Sequence, residues 1–236
     1  MVPSPFSGAA KGPLEVAERG ESRDAEIRAE DLRVLSEPRG RVAEQFRTLR
    51  NSIQAMNPDG APRNLVVTSA LPGEGKTTAT LNLALALAEQ PDQRVLVIDA
   101  DLHKPMVETH LGLPRRQGLA ELLTGQLDLD RALRETSVPR MSVIGAGSLD
   151  GNPAQYLGTD RLVTLLRTLK REFDYVILDT PATLDFNDAS QVATMTDGAI
   201  LAVRLGDTPK YLVEQAANVL EGLGANLLGT IVLGAG

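Results

Sequence analysis

The sequence predicts an α/β domain built on a mostly parallel central sheet with helices on both faces. The first observation is a series of short, continuous apolar runs: Leu65 to Val67, Val95 to Ile98, Met141 to Ile144, Tyr175 to Leu178, Ala199 to Val203 and Leu227 to Leu233. Unbroken runs, rather than strict alternation of apolar and polar residues, suit strands buried on both faces. The second is the helical segments between them: Thr77 to Gln90, Gly118 to Thr124, Leu129 to Glu135, Thr159 to Glu172, Ala189 to Met195 and Lys210 to Leu223. Strands alternating with helices make the crossovers of a parallel sheet. The third is the helix from Thr77, whose Leu81, Leu83, Ala84, Leu85, Ala86, Leu87 and Ala88 are apolar nearly all round. A helix of that composition is enclosed between the sheet and its neighbours.

Ahead of this pattern, residues 1–40 are rich in Pro, Gly, Ser, Glu and Arg, with apolar residues too scattered to form a buried face. They read as a flexible arm, in which Val34 and Leu35 could pack only if a partner covers them. From Arg41 to Met56 helix formers resume, and Val42, Phe46, Leu49 and Ile53 fall at helical spacing, predicting a helix over 41–56 that leads into a domain over 41–236.

A chain of 236 residues, 42% of them hydrophobic, carries one sizeable core with something left over. Its formal charge of −7, with no long Lys/Arg block, disfavours nucleic acid as a partner. The absence of cysteine excludes disulfides, thiol catalysis and cysteine-ligated metal, and His103 and His110 are too few for a histidine-built zinc site. No stretch reaches the ~20 apolar residues that span a bilayer, and the segment after Met1 lacks a basic region followed by an apolar run. A soluble, cytoplasmic chain without a membrane span is expected.

The strongest chemical signal is Ala70-Leu71-Pro72-Gly73-Glu74-Gly75-Lys76-Thr77, directly after the first strand and opening the first core helix. It is the phosphate-binding P-loop pattern with Ala70 in place of the first glycine, and it makes the fold class a P-loop NTPase fold. A triphosphate needs many donors in a small volume. Gly73 and Gly75 let the backbone curl so that successive N–H groups point inward, and the helix N-terminus adds positive potential. Pro72, Gly73, Glu74, Gly75, Lys76, Thr77 and Thr78 are the expected nucleotide cradle. Lys76 would meet the β- and γ-phosphates, the Thr77 hydroxyl would ligate Mg²⁺, and Thr78 could donate to the α-phosphate.

Two further strands end on acids. Val97-Ile98-Asp99-Ala100-Asp101 meets two carboxylates at alternate positions, and Tyr175-Val176-Ile177-Leu178-Asp179 closes on a third. Ligands of an open α/β sheet bind at that carboxyl edge. Asp99 and Asp101 could address the metal, its waters or an incoming hydroxyl, and the same positions also suit strand-end turn chemistry. Asp179 has the pattern of a Walker B aspartate beside Mg²⁺. The expected set is Lys76, Asp99, Asp101 and Asp179 for catalysis, with Thr77, Asp99 and Asp179 at the metal.

With these segments together the chain resembles the bacterial tyrosine kinases of capsular and exopolysaccharide export, from about Val42 to the end. The carrying residues are Thr68 to Thr77 as Walker A, Val97 to Pro105 as Walker A′, and Ile177 to Pro181 as Walker B. The resemblance implies an ATP- and Mg²⁺-dependent protein-tyrosine kinase in which Asp99 activates the acceptor hydroxyl while Asp101 and Asp179 support the metal. Glu44, Arg47 and Arg50 match the family's E-x-x-R-x-x-R helix, implying a homo-oligomeric ring; their spacing equally fits a solvated face with one intrahelical ion pair. A membrane polysaccharide co-polymerase is the implied activator, recruiting the protein to the inner face of the membrane.

The sequence departs from the family at several points. His103 stands where the family usually has Arg, Ala182 replaces a Pro, and Gly234 replaces a strand-end Asn. The three tyrosines are Tyr156, Tyr175 and Tyr211, with no C-terminal tyrosine cluster visible. Tyr175 and Tyr211 are expected to pack or cap, and Tyr156 to be the least bound. The alternatives are an ATPase switch of the plasmid-partitioning and septum-site type, or a nucleotide-binding scaffold with little kinase activity. The switch proteins carry a signature Lys early in the loop, where this chain has Leu71.

Overall fold

The computed structural model describes residues 31–61, 63–148 and 151–234. In chain order the elements begin α1 (Arg33–Ser36), α2 (Arg41–Ala55), β1 (Arg63–Ser69), α3 (Lys76–Ala88), β2 (Val95–Asp99) and α4 (Val107–His110). They continue with α5 (Leu119–Thr124), α6 (Leu129–Ala132), β3 (Arg134–Glu135), β4 (Met141–Ile144), α7 (Ala154–Leu157) and α8 (Asp160–Leu169). The last are β5 (Tyr175–Asp179), α9 (Asp188–Thr194), β6 (Gly198–Arg204), α10 (Lys210–Gly222) and β7 (Leu227–Leu233). All six expected strands form.

The strands make one sheet in the order β3-β4-β2-β5-β1-β6-β7, parallel throughout except for the short β3, which runs antiparallel to β4. Alternate residues of each central strand feed opposite cores, which is why the runs are continuously apolar. Leu65, Val67, Val95, Val97 and Ile177 pack with α2 and α3 on one face. Val66, Leu96, Ile98, Val176 and Leu178 pack with Leu119, Leu162, Leu165 and Val192 on the other. Eleven of the thirteen α3 residues are buried, as its all-round apolar surface requires.

Three expectations change. Residues 1–30 of the expected arm lie outside the described residues, but residues from 31 onward pack: Leu32 is 0% exposed and Val34 is buried, both within the α2/α3 core. The Val34 N–H donates to Asn82 Oδ1 at 3.1 Å, and Asn82 Nδ2 donates to the Asp31 carbonyl at 3.0 Å. The chain's own α3, not a partner, covers Val34, while Leu35 is left at the surface. In α2 the buried stripe is Ala43, Phe46, Arg50 and Ile53, so Val42 faces solvent and a guanidinium takes an inward position. The helix expected over Leu129 to Glu135 stops at Ala132. Arg134 leaves it to join β4 and reaches the buried Glu108 at 2.6 Å, an ion-pair gain that local helix propensity does not register.

Candidate active site

Because β5 inserts between β1 and β2, the loops following these three strands lie side by side at the carboxyl edge. β1 runs into the glycine loop. Gly73 and Gly75 have φ of +82° and +85°, the left-handed region where a Cβ is costly. A Cβ on Gly75 would lie 2.7 Å from Leu233 Cδ1, whereas one on Gly73 would meet nothing. The loop is braced from two sides. Ser69 Oγ donates to the Leu71 carbonyl at 2.7 Å, and Arg204 Nη1 donates to the Gly73 carbonyl at 3.2 Å. Glu74 is buried: its carboxylate accepts from the Leu71 N–H at 2.9 Å and from the Thr208 hydroxyl. Glu74 therefore has its backbone N–H, not its side chain, to offer a phosphate. Pro72 and Gly73 are exposed and Thr78 is half-buried at the start of α3.

The charged groups behind the loop hold one another. The Thr77 hydroxyl donates to Asp179 Oδ2 at 2.6 Å, Thr80 donates to Asp179 Oδ1 at 3.2 Å, and Lys76 Nζ lies 3.2 Å from Asp101 Oδ2. Asp99 and Asp179 are direct register partners on β2 and β5. Asp99 Oδ2 accepts from the Val107 N–H at 2.9 Å and Oδ1 from the Asp101 N–H at 3.2 Å. Asp101 Oδ1 accepts from the Lys104 N–H at 2.9 Å. The turn chemistry and the acidic cluster thus coexist. Burial, then the neighbouring Asp179, holds the Asp99 carboxyl well above the usual carboxylate range. Burial raises Asp179 as well, against the opposing pull of the Thr77 hydroxyl and the Lys76 ammonium. Among the described residues no three acids converge into a metal site by themselves; the Thr77 hydroxyl beside Asp179, with Asp99 next to it in register, is an oxygen donor set that fits a divalent cation completed by phosphate oxygens and water.

Sequence reasoning missed Thr80, Arg204 and Thr208. Thr80 was legible in principle, three residues beyond Thr77 on the same helix; Arg204 and Thr208 carried no signal, since they reach the loop from β6 and beyond. Also missed was the fastening between the loops after β2 and β5. His103 Nε2 lies 2.6 Å from Asp188 Oδ2, and its ring stacks on Phe186 with centroids 3.7 Å apart and an interplanar angle of 14°.

The structure places Glu44, Arg47 and Arg50 away from the glycine loop. Arg47 makes two bonds to Glu89, at 2.8 and 2.5 Å, and also meets Glu44 at 2.5 Å. Arg50, 8% exposed, donates to the Ala86 carbonyl at 2.9 Å and to Glu89 at 3.2 Å. Within one chain these residues clamp α2 to the C-terminal end of α3, where cations are favoured. Of the tyrosines, Tyr175 is buried and Tyr156 half-buried; Tyr211, expected to pack or cap, is 66% exposed.

A family described as an AAA domain matches residues 63–215. The chain is 36% identical over 200 residues to tyrosine-protein kinase YwqD of Bacillus subtilis, covering 85% of this chain and 84% of that protein. It superposes on the kinase domain of Escherichia coli tyrosine kinase ETK with TM-score 0.82 and 30% identity, over 86% of this chain and 80% of that one. The chimerical protein CapA2B2 gives TM-score 0.80 and 30% identity, over 86% and 89% of the two chains. More distant is the septum site-determining protein MinD of Pyrococcus horikoshii with Mg-ADP, at TM-score 0.62 and 26% identity over 72% and 70%.

Proposed function

The chain belongs to the bacterial tyrosine kinases, and from that premise we propose that it uses ATP and Mg²⁺ to phosphorylate tyrosine in the control of capsular or exopolysaccharide synthesis and export. The carrying observation is the meeting, at one sheet edge, of the glycine loop with Lys76, Thr77, Asp99, Asp101 and Asp179.

In this reading Pro72 shapes the loop, the backbone N–H groups from Gly73 to Thr78 receive the phosphates, and Lys76 exchanges Asp101 for the β- and γ-phosphate oxygens. Thr77, Asp99 and Asp179 would hold the cation, with Asp101 in support, and Mg²⁺ bound there would draw charge off the phosphate oxygens. The acceptor's phenolic oxygen forms a bond to the γ-phosphorus as the bond from that phosphorus to the β–γ bridging oxygen breaks. ADP leaves, and the phenolic proton passes to Asp99.

No helix among the described residues is long and apolar enough to cross a membrane. The proposed activator is a membrane co-polymerase that holds the protein at the inner face of the membrane; the likeness to a chimerical protein supports a two-component arrangement. A homo-oligomeric ring through Glu44, Arg47 and Arg50 is part of the proposal, with Arg47 and Arg50 shared between that contact and Glu89. The ATPase-switch reading is supported by the MinD likeness and opposed by Leu71, which supplies no charge for a partner's phosphates.

The test is purified protein with γ-labelled ATP and Mg²⁺, with and without the activator's cytoplasmic segment, assayed for phosphotyrosine and free phosphate in parallel. Phosphotyrosine that disappears in Lys76→Met is expected. Phosphate release without phosphotyrosine would transfer support to the switch, and nucleotide binding without either product to a scaffold.

A further inference from the structure

A partly exposed aromatic ring stands on the loop that follows Asp179, outside the hydrophobic core. Phe186 is 39% exposed, whereas Phe46, Phe173 and Tyr175 are buried in the core. The chain contains only four Phe, three Tyr and no Trp, so a ring spent on the surface at this edge is conspicuous. One face of Phe186 is covered by the His103 imidazole in a near-parallel stack. His103 is anchored in turn by Asp188, which is buried at the start of α9.

The backbone around the ring is held as firmly. The Phe186 N–H donates to the Ala182 carbonyl at 3.2 Å. Earlier in the same loop, the Thr183 N–H donates to the Ser69 carbonyl at 2.8 Å and the Leu184 N–H to the Ala70 carbonyl at 3.4 Å. This segment therefore runs along the leading residues of the glycine loop. His103 lies two residues beyond Asp101, and Phe186 belongs to the loop that follows Asp179. The stack thus ties together the two acid-bearing loops and leaves part of a flat apolar surface open to solvent.

A phenol approaching these acids needs a surface that takes its ring and leaves its hydroxyl free. Aromatic rings associate in offset or edge-to-face pairs at centroid separations of about 4.5–7 Å, and an immobilised ring loses little entropy on receiving another. We propose that the Phe186–His103 stack is the binding subsite for the aromatic ring of the acceptor tyrosine. The inference rests on the kinase reading above and adds the specificity element: serine and threonine have no ring to place there. Phe186 is the contact, and His103, held by Asp188, positions it.

The experiment is steady-state phosphorylation of a synthetic tyrosine-containing peptide by the full chain, with the dissociation constant of a fluorescent ATP analogue measured on the same preparations. Phe186→Ala should raise the peptide KM about five- to tenfold, the scale of one aromatic pair, with nucleotide affinity unchanged as proof of folding. Phe186→Tyr should stay within about twofold of wild type, Phe186→Leu should fall between, and His103→Ala should raise KM in the same sense by letting the ring turn. An active wild type whose peptide KM is unmoved in Phe186→Ala overturns the subsite alone. A wild type that binds nucleotide but phosphorylates no tyrosine even with the activator's cytoplasmic segment present overturns the kinase reading and the subsite with it.

Discussion

Placing a methyl group on each of the two left-handed glycines of the loop separates backbone strain from steric contact. Both residues have φ near +80°, so Gly73→Ala and Gly75→Ala each incur about 1–2 kcal/mol for holding an alanine in that region. Only Gly75 faces a neighbour, with Leu233 Cδ1 2.7 Å from the new Cβ. That atom is the far end of a flexible side chain, so relief takes a rotamer shift of about 0.5–1.5 kcal/mol rather than a backbone rearrangement. Urea unfolding of nucleotide-free protein, followed by circular dichroism, should find Gly73→Ala less stable by about 1–2 kcal/mol and Gly75→Ala by about 1.5–3.5 kcal/mol. Adding Leu233→Ala should return the difference, appearing as a coupling of about 0.5–1.5 kcal/mol in the double-mutant cycle. Equal losses in the two single variants, or a cycle without coupling, would refute the seating of β7's last residue over the loop.

Asp99→Asn should spare nucleotide affinity, within about threefold, while lowering phosphotyrosine formation by 10²-fold or more, because a proton acceptor acts on charge that develops only in the transition state; equal losses in both would remove that role. In the nucleotide-free protein, Asp99 and Asp179 keep their protons to higher pH than in the unfolded chain, where aspartate titrates near pH ~4. The folded state therefore binds more protons above that pH, and its stability, full below it, should decline as pH rises through neutrality; thermal melts should find the slope reduced in Asp99→Asn. Leu32→Ala should destabilise the protein by about 2–5 kcal/mol, the range for a fully buried leucine; an unchanged melting temperature would return residue 32 to a mobile arm.

The glycine loop and the strand-end acids were legible in the sequence because their signals are local. A left-handed glycine, a helix N-terminus and an apolar run closing on aspartate each occupy a few consecutive residues, and each structural element follows from its own neighbours. The start of the packed region was misjudged for the converse reason. Leu32 and Val34 sit among polar and conformationally restrictive residues, and their burial is made favourable by α2 together with α3, which is about 50 residues away; the Val34 bond to Asn82 spans 48 positions. Arg47 and Arg50 likewise showed their helix spacing but not Glu89, which Arg47 reaches across 42 positions.

By itself, then, the sequence determined that this is a parallel α/β protein whose first strand opens into a phosphate cradle and whose later strands end in carboxylates. The tertiary structure alone decided that β5 lies between β1 and β2, which puts Asp179 against both Asp99 and the Thr77 hydroxyl, 102 positions away. It also decided that His103 and Asp188 join two loops across 85 positions. Backbone propensity and side-chain period act over one or two turns, whereas strand order is selected by which buried faces pack best. Loop-closure entropy, which grows only with the logarithm of length, hardly distinguishes near from far partners, so the neighbours in the site are chosen by the assembled core.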